Sequence, residues 1–203
     1  MPEALEKQVL VEQQPLIIRR IELNDGIIFE VAQILENCYS EFDDNYTRLY
    51  YSTRIIDSND NVVFDFSSEL LDGWKLAYLF EDIDSMYVSN LYQKINIPLS
   101  RLHDNGDIIL ILHEIGHLRF TEANGFISIN DPTQERYAWA WAIRKARTLK
   151  EKYGIDLFEG FGDYEGFIRW LHQDDVHRLG SFEKNNQESN GRFSWKYYRD
   201  REK

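Results

Sequence analysis

His113, Glu114 and His117 fall within D-I-I-L-I-L-H-E-I-G-H-L-R-F, the stretch from Asp107 to Phe120, as an H-E-x-x-H pattern. On an α-helix, residues four apart share a face one turn apart. His113 and His117 can therefore offer two imidazole nitrogens to one metal ion. Glu114 follows about 100° round the same helix and can reach a water on that ion. The chemistry this spacing predicts is metal-assisted hydrolysis, with Glu114 as the base. It requires the segment to be helical. Five apolar residues from Ile108 to Leu112, with Ile115, Leu118 and Phe120 beyond them, predict a buried helix. Asp104, Asn105 and Asp107 supply N-caps and negative charge for its N-terminus. Two histidines and a glutamate in such a helix are costly without partners, and a metal satisfies all three. Gly116 costs about 1 kcal/mol of helix propensity relative to alanine, which predicts close approach by another backbone.

A catalytic metal needs a third protein ligand, and Glu135 is the candidate the sequence favours. It lies in the first turns of a strongly marked second helix. Asp131 is an N-cap, Pro132 suits the first helical position and Gln134 closes a capping box. Glu135, Ala138, Trp139, Ala142, Ile143, Ala146 and Leu149 share one face, and Gly154 ends the helix. Small residues at Ala138 and Ala142 would let that face approach Gly116. The competing third ligands are Glu122, His103, His172 and His177. Glu122 follows His117 too closely without a sharp reversal, and His172, Asp174, Asp175 and His177 read as a solvated face of a third helix. An oxyanion donor is also expected, with Tyr137, His172, His177 and Tyr164 as candidates. Asp131 and Glu122 are candidate acceptors for the outer ring nitrogens of the histidines.

These residues need elements to hold them. Leu16–Leu23 is apolar around Arg19 and Arg20, and reads as a strand or a helix start. Asn24-Asp25-Gly26 is a turn. Ile27–Tyr39 carries Ile27, Ile28, Val31, Ile34, Leu35 and Cys38 at helical spacing and is expected to be a helix. Glu41–Tyr46 reads as an acidic loop. Leu49–Ile56 and Val62–Phe66 are expected strands joined by a hairpin through Asp57–Asn61. That connection begins like a calcium loop, but Val62 and Ser68 stand where glycine and glutamate are needed, so calcium is not expected. Ser68–Asp82 is ambiguous. Met86–Ile97 looks extended up to Pro98, and a strand there could hold an extended peptide at a sheet edge. Thr121–Asn130 is an expected loop. Phe158–Gly162 is a glycine-punctuated loop, and Tyr164–Leu179 is an expected third helix. The organisation is a polar N-terminal tail (1–15), one α+β domain (16–180) and a polar, locally basic C-terminal tail (181–203).

The composition narrows the function classes. A net charge of -12 argues against an electrostatic grip on nucleic acid or anionic lipid. Cys38 is the only cysteine, which excludes an intramolecular disulfide and a cysteine-based zinc site. No apolar leader opens the chain and no apolar run is long enough to span a bilayer, so a reducing cytoplasm is expected.

The pair H-E-I-G-H (113–117) and E-R-Y-A-W-A-W-A (135–142) resembles the ImmA/IrrE family of zinc metallopeptidases, which pairs an H-E-x-G-H helix with a downstream E-x-x-A-x-x-F-A helix. Glu135, Ala138 and Ala142 match that pattern, and Trp141 stands where it has phenylalanine. The resemblance covers about Ile108 to Arg147, with no accompanying helix-turn-helix. It implies a zincin-like fold, with a small sheet on the metal helix, then the ligand helix and a third helix. It also implies an intracellular Zn2+ endopeptidase of regulatory type, with His113, His117 and Glu135 as ligands and Glu114 as base. Its substrate would be a protein or peptide such as a repressor or antitoxin-like regulator. The rival expectation is a zincin-like zinc-binding interaction module that docks a partner without hydrolysis. A third is a metal-free structural domain.

Overall fold

A computed structural model describes residues 14–24, 26–40, 43–81, 86–89, 92–124 and 132–171. The fold is mixed α+β, with two sheets and three helices among these residues. The first sheet is an antiparallel meander of β1 (Leu16–Asn24), β2 (Ile27–Ser40), β3 (Asp43–Ile56) and β4 (Val62–Asp65), in that order. The second contains β5 (Lys75–Leu79), β6 (Tyr87–Ser89) and β7 (Lys94–Pro98) in the order β5-β7-β6. β5 runs parallel to β7, and β6 antiparallel to it. The helices are α1 (Asn105–Asn124), α2 (Pro132–Tyr153) and α3 (Tyr164–Leu171).

Ile27–Ser40 is therefore a strand and not the expected helix. The tight turn at Gly26 (φ 80°) folds it back on β1, and β3 pairs along its other edge. Its β-branched Ile27, Ile28, Val31 and Ile34 suit a pleated surface. Helical spacing misled because both faces of β2 are covered between Phe29 and Ala32. Phe29 and Val31 enter the core, while Glu30 on the opposite face is 1% exposed.

Glu30 is tolerated there because its cross-strand neighbours on both sides are arginines. Arg20 pairs with it from β1 and Arg54 from β3. Arg20 donates to one carboxylate oxygen at 2.8 and 2.6 Å, and Arg54 to the other at 3.1 and 2.9 Å. The ladder also fixes register, since a one-residue slip would move Glu30 onto the core face.

The remaining strands are set by local signals. Asp57 accepts from the backbone N–H groups of Asn59 and Asn61, closing the expected turn into β4. Asp43–Tyr46, expected as loop, begins β3. The extended stretch from Met86 to Ile97 is two strands, β6 and β7, and not one. β7 lies between β5 and β6 and is buried from Ile95 to Pro98. Instead of one small sheet there are two, joined where Thr53 of β3 meets the Tyr78 hydroxyl of β5 at 2.7 Å. The rings of Tyr51 and Tyr78 meet edge to face at the same seam. Burial pushes the Tyr78 phenol far above its ordinary value, only partly offset by the Thr53 bond.

α1 is buried on nearly every side, with Ile108, Ile109, Ile111, Leu112 and Ile115 all 0% exposed. It packs against β6 and β7 of the second sheet. Its N-terminus is anchored from two directions. The Arg19 guanidinium of β1 donates to the Leu102 carbonyl. The Asn105 amide donates to the carbonyls of Leu23 (3.5 Å) and Asp156 (3.3 Å). α1 runs to Asn124, so Thr121–Asn124 are helical and not loop. The rest of that expected loop, the last part of the expected third helix after Leu171 and the two tails (apart from Gln14 and Pro15) lie outside the described residues.

Among the described residues, no helix is long and apolar enough to cross a membrane.

The charge ladder generates a prediction. Burial alone would raise the Glu30 carboxyl, but the hydrogen bonds and charges of Arg20 and Arg54 outweigh it and hold the group below the ordinary value of 4.5. A depressed carboxyl contributes stability above its ordinary pKa, and that stability is lost as pH falls through the folded value. Glu30→Gln should cost about 2 kcal/mol at neutral pH, below the figure for a fully buried pair because both arginines are partly exposed and can rehydrate. The gap between the two proteins should narrow as pH drops below 4.5, and urea unfolding at several pH values reads it.

Candidate metal centre

Asp104 and Asp107 start the helix that carries the motif. Asp104 accepts from the N–H groups of Gly106 (2.7 Å) and Asp107 (3.3 Å). Asp107 reaches back to the N–H groups of His103 (2.7 Å) and Asp104 (3.2 Å). This reciprocal arrangement satisfies the first N–H groups of α1 and places negative charge at its positive end. Burial raises the Asp107 carboxyl, against the pull of the His103 and Asp104 N–H groups.

The two elements that carry the candidate ligands meet at Gly116. A methyl group there would lie 2.7 Å from both the Cα and the carbonyl oxygen of Ala138. The backbones of α1 and α2 thus touch directly, as the glycine and the small residues on α2 predict. Ala138 and Ala142 are both 0% exposed. Glu135 sits three residues before Ala138 on α2, and His113 three residues before Gly116 on α1. A contact between Gly116 and Ala138 therefore brings the ligand positions of both helices to one place.

His113, His117 and Glu135 converge there, with one ligand atom from each within 4.8 Å of the others, and the group could hold a metal ion. The two Nε2 atoms are 3.1 Å apart. Glu135 reaches them with its two carboxylate oxygens, at 3.4 Å from His113 and 3.6 Å from His117. His113 and Glu135 are buried, and the His117 side chain is 12% exposed. Glu114 is half-buried beside His113 on the same helix. The indole of Trp139, one turn beyond Glu135 on α2, lies against the His113 ring with centroids 4.0 Å apart and planes inclined by 31°.

The other candidates lie elsewhere. Glu122, carried on the last turn of α1, is exposed and pairs with Arg119 at 3.2 Å. Five residues after His117, it is about 140° round the helix from it. His103 is exposed in the segment leading into α1, with Nδ1 3.3 Å from Arg19. Tyr137 is about 200° round α2 from Glu135, and its ring packs on Phe120 at 5.3 Å. Tyr164 starts α3 with the Arg147 guanidinium 4.5 Å over its ring. His172, His177 and Asp131 lie outside the described residues.

Sequence reasoning missed the stack of Trp139 on His113. The signal was present, because Trp139 follows Glu135 by four residues and so shares its face.

Comparison with family models, with curated proteins and with solved structures finds no match to this chain.

Gly116→Ala provides a test of this geometry. An exposed helix would gain about 1 kcal/mol from that change. Here the added methyl meets backbone that cannot rotate away, and overpacking of this kind costs about 1–3 kcal/mol. The variant should be less stable than the wild type and should take up metal at least tenfold more weakly. Chemical denaturation and chelator competition measure the two effects. A variant more stable than the wild type would mean that the helices do not touch at Gly116.

Proposed function

We propose that this chain is a zinc-dependent intracellular endopeptidase with a narrow, regulatory protein substrate. The observation that carries the reading is the convergence of His113, His117 and Glu135, with one ligand atom from each within 4.8 Å of the others. Ligands about 2.0–2.2 Å from a tetrahedral ion lie about 3.3–3.6 Å from one another. Here the two Nε2 atoms are 3.1 Å apart, and each faces a different Glu135 oxygen, at 3.4 Å from His113 and 3.6 Å from His117, close to that range. Two imidazoles and one carboxylate form a common catalytic zinc set that leaves a fourth position for water or substrate. The resemblance of residues 113–117 and 135–142 to the ImmA/IrrE pattern supports the same assignment.

Zinc, when bound, supplies a Lewis acid that brings the pKa of water toward about 7. His113 and His117 would hold it through Nε2, and Glu135 would offset part of its charge. A Glu114 carboxylate oxygen takes the proton from the attacking water and delivers it to the departing amine nitrogen. A glutamate in that place favours a hydrolytic site, since a purely structural one has no need of it. β6, an edge strand of the second sheet, packs against α1, and an extended peptide can add to such an edge through backbone hydrogen bonds. The net charge of -12 suits a protein partner, such as a repressor or antitoxin-like regulator, better than nucleic acid.

Glu114→Gln tests the reading. Glutamine is nearly isosteric and cannot act as a base at neutral pH. The variant should bind about one zinc per chain like the wild type. In a mixed peptide library read by mass spectrometry, new N-termini should appear with the wild type and be absent with Glu114→Gln. Cleavage by both proteins would remove Glu114 from its role. A zinc-loaded wild type that cleaves nothing would favour the docking module, and a wild type that takes up no zinc would end both readings.

A further inference from the structure

Trp139 is 2% exposed, and its ring lies against that of a metal-ligand candidate with centroids 4.0 Å apart and planes inclined by 31°. Its ring pairs with Phe167 and Trp170, both from α3, are wider, at 6.0 and 6.3 Å. Phe167 in turn meets Phe158, Phe161 and Trp170 at 5.1–5.8 Å. One side of the indole is thus held by an aromatic cluster built from α3 and the segment before it. Another side bears on His113.

His113 needs something to set its ring. A histidine ligand is usually oriented by a hydrogen bond from its outer nitrogen to a carboxylate or carbonyl, which fixes both tautomer and ring angle. Among the described residues, the buried Nδ1 of His113 has no such acceptor. A ring free to turn about its χ2 angle would swing Nε2 away from Glu135 and lose directional bonding to an ion. A flat indole 4.0 Å away opposes that rotation, because turning the imidazole drives its edge into the indole plane. α2 carries both parts, with Glu135 reaching for the ion and Trp139, one turn later, pressing on the histidine that must face it.

We infer that Trp139 is a positioning residue of the metal centre, setting the His113 ring by stacking and linking it to the aromatic cluster of α3. The inference rests on the proposed zinc site, and its test separates the two. Trp139→Phe keeps a flat aromatic face, whereas Trp139→Leu keeps an apolar side chain without one. Zinc affinity is measured by chelator competition, and folding of each variant by circular dichroism and thermal melting. The expected result is zinc binding within about threefold of wild type for Trp139→Phe and a loss of about 10–100-fold for folded Trp139→Leu, the range typical when a ligand's orienting partner is removed. Equal affinity of folded Trp139→Leu and wild type would overturn the inference while leaving the zinc site intact.

A second measurement needs no leucine variant. In the wild type, the His113 ring protons should be shifted upfield by the indole ring current in the NMR spectrum, and Trp139→Phe should reduce that shift. Ring protons at ordinary imidazole positions in the wild type would overturn the inference whatever the leucine variant does. A wild type with the upfield shift but no zinc uptake would instead refute the zinc assignment.

Discussion

The contact between the backbones of α1 and α2 at Gly116 is the constraint on which the candidate centre depends. His113 and His117 are neighbours on any helix, but Glu135 belongs to another element. A carboxylate with a short side chain reaches both imidazoles only if the helix carrying it comes unusually close. Even a single methyl at position 116 would stand 2.7 Å from the Ala138 backbone. The helix-propensity cost of a mid-helix glycine is thus accepted where the geometry of the centre demands it.

The rest of the fold holds that helix pair in place. α1 is buried on nearly every side, covered by α2 and by the sheet containing β7. Its first turn is tied to β1 through Asn105 and to the chain beyond α2 through the same amide. Lys145 on α2 reaches Glu69 at 2.6 Å, linking the second helix to the turn after β4. Gly154 (φ 70°) donates to the Lys150 carbonyl at 3.0 Å, ends α2, and lets Ile155 turn into the core. From there the chain reaches α3, whose aromatic face closes over Trp139. The meander sheet has its own fixing device in the Arg20–Glu30–Arg54 ladder, which makes a slipped register expensive.

The centre was more legible in the sequence than the sheets. The H-E-x-x-H spacing, the Pro132 start, the apolar face around Glu135 and the small residues at 116, 138 and 142 all act within one helix or between two. Helical period and capping chemistry capture such local relations. β2 was misread because its burial depends on what lies above and below it. Glu30 is buried by arginines from two other strands, a non-local fact, and the apolar positions that remained happened to repeat near 3.5. The division of Met86–Ile97 into β6 and β7 was hidden for a similar reason, since both halves are extended and only pairing separates them. Glu122 looked like a ligand competitor in an exit loop. Once α1 continues through it, helix geometry carries it away from His117.

The central claim is that a carboxylate from α2, and not one from α1, completes the metal centre. Zinc affinity of Glu135→Ala and Glu122→Ala, measured side by side by chelator competition, tests it most directly. Glu135→Ala should bind zinc more than about 100-fold more weakly than wild type, because it removes a ligand and the charge that offsets the ion. Glu122→Ala should be unchanged, since that carboxylate is exposed and paired with Arg119. Wild-type affinity in Glu135→Ala, or a comparable loss in Glu122→Ala, would contradict the account.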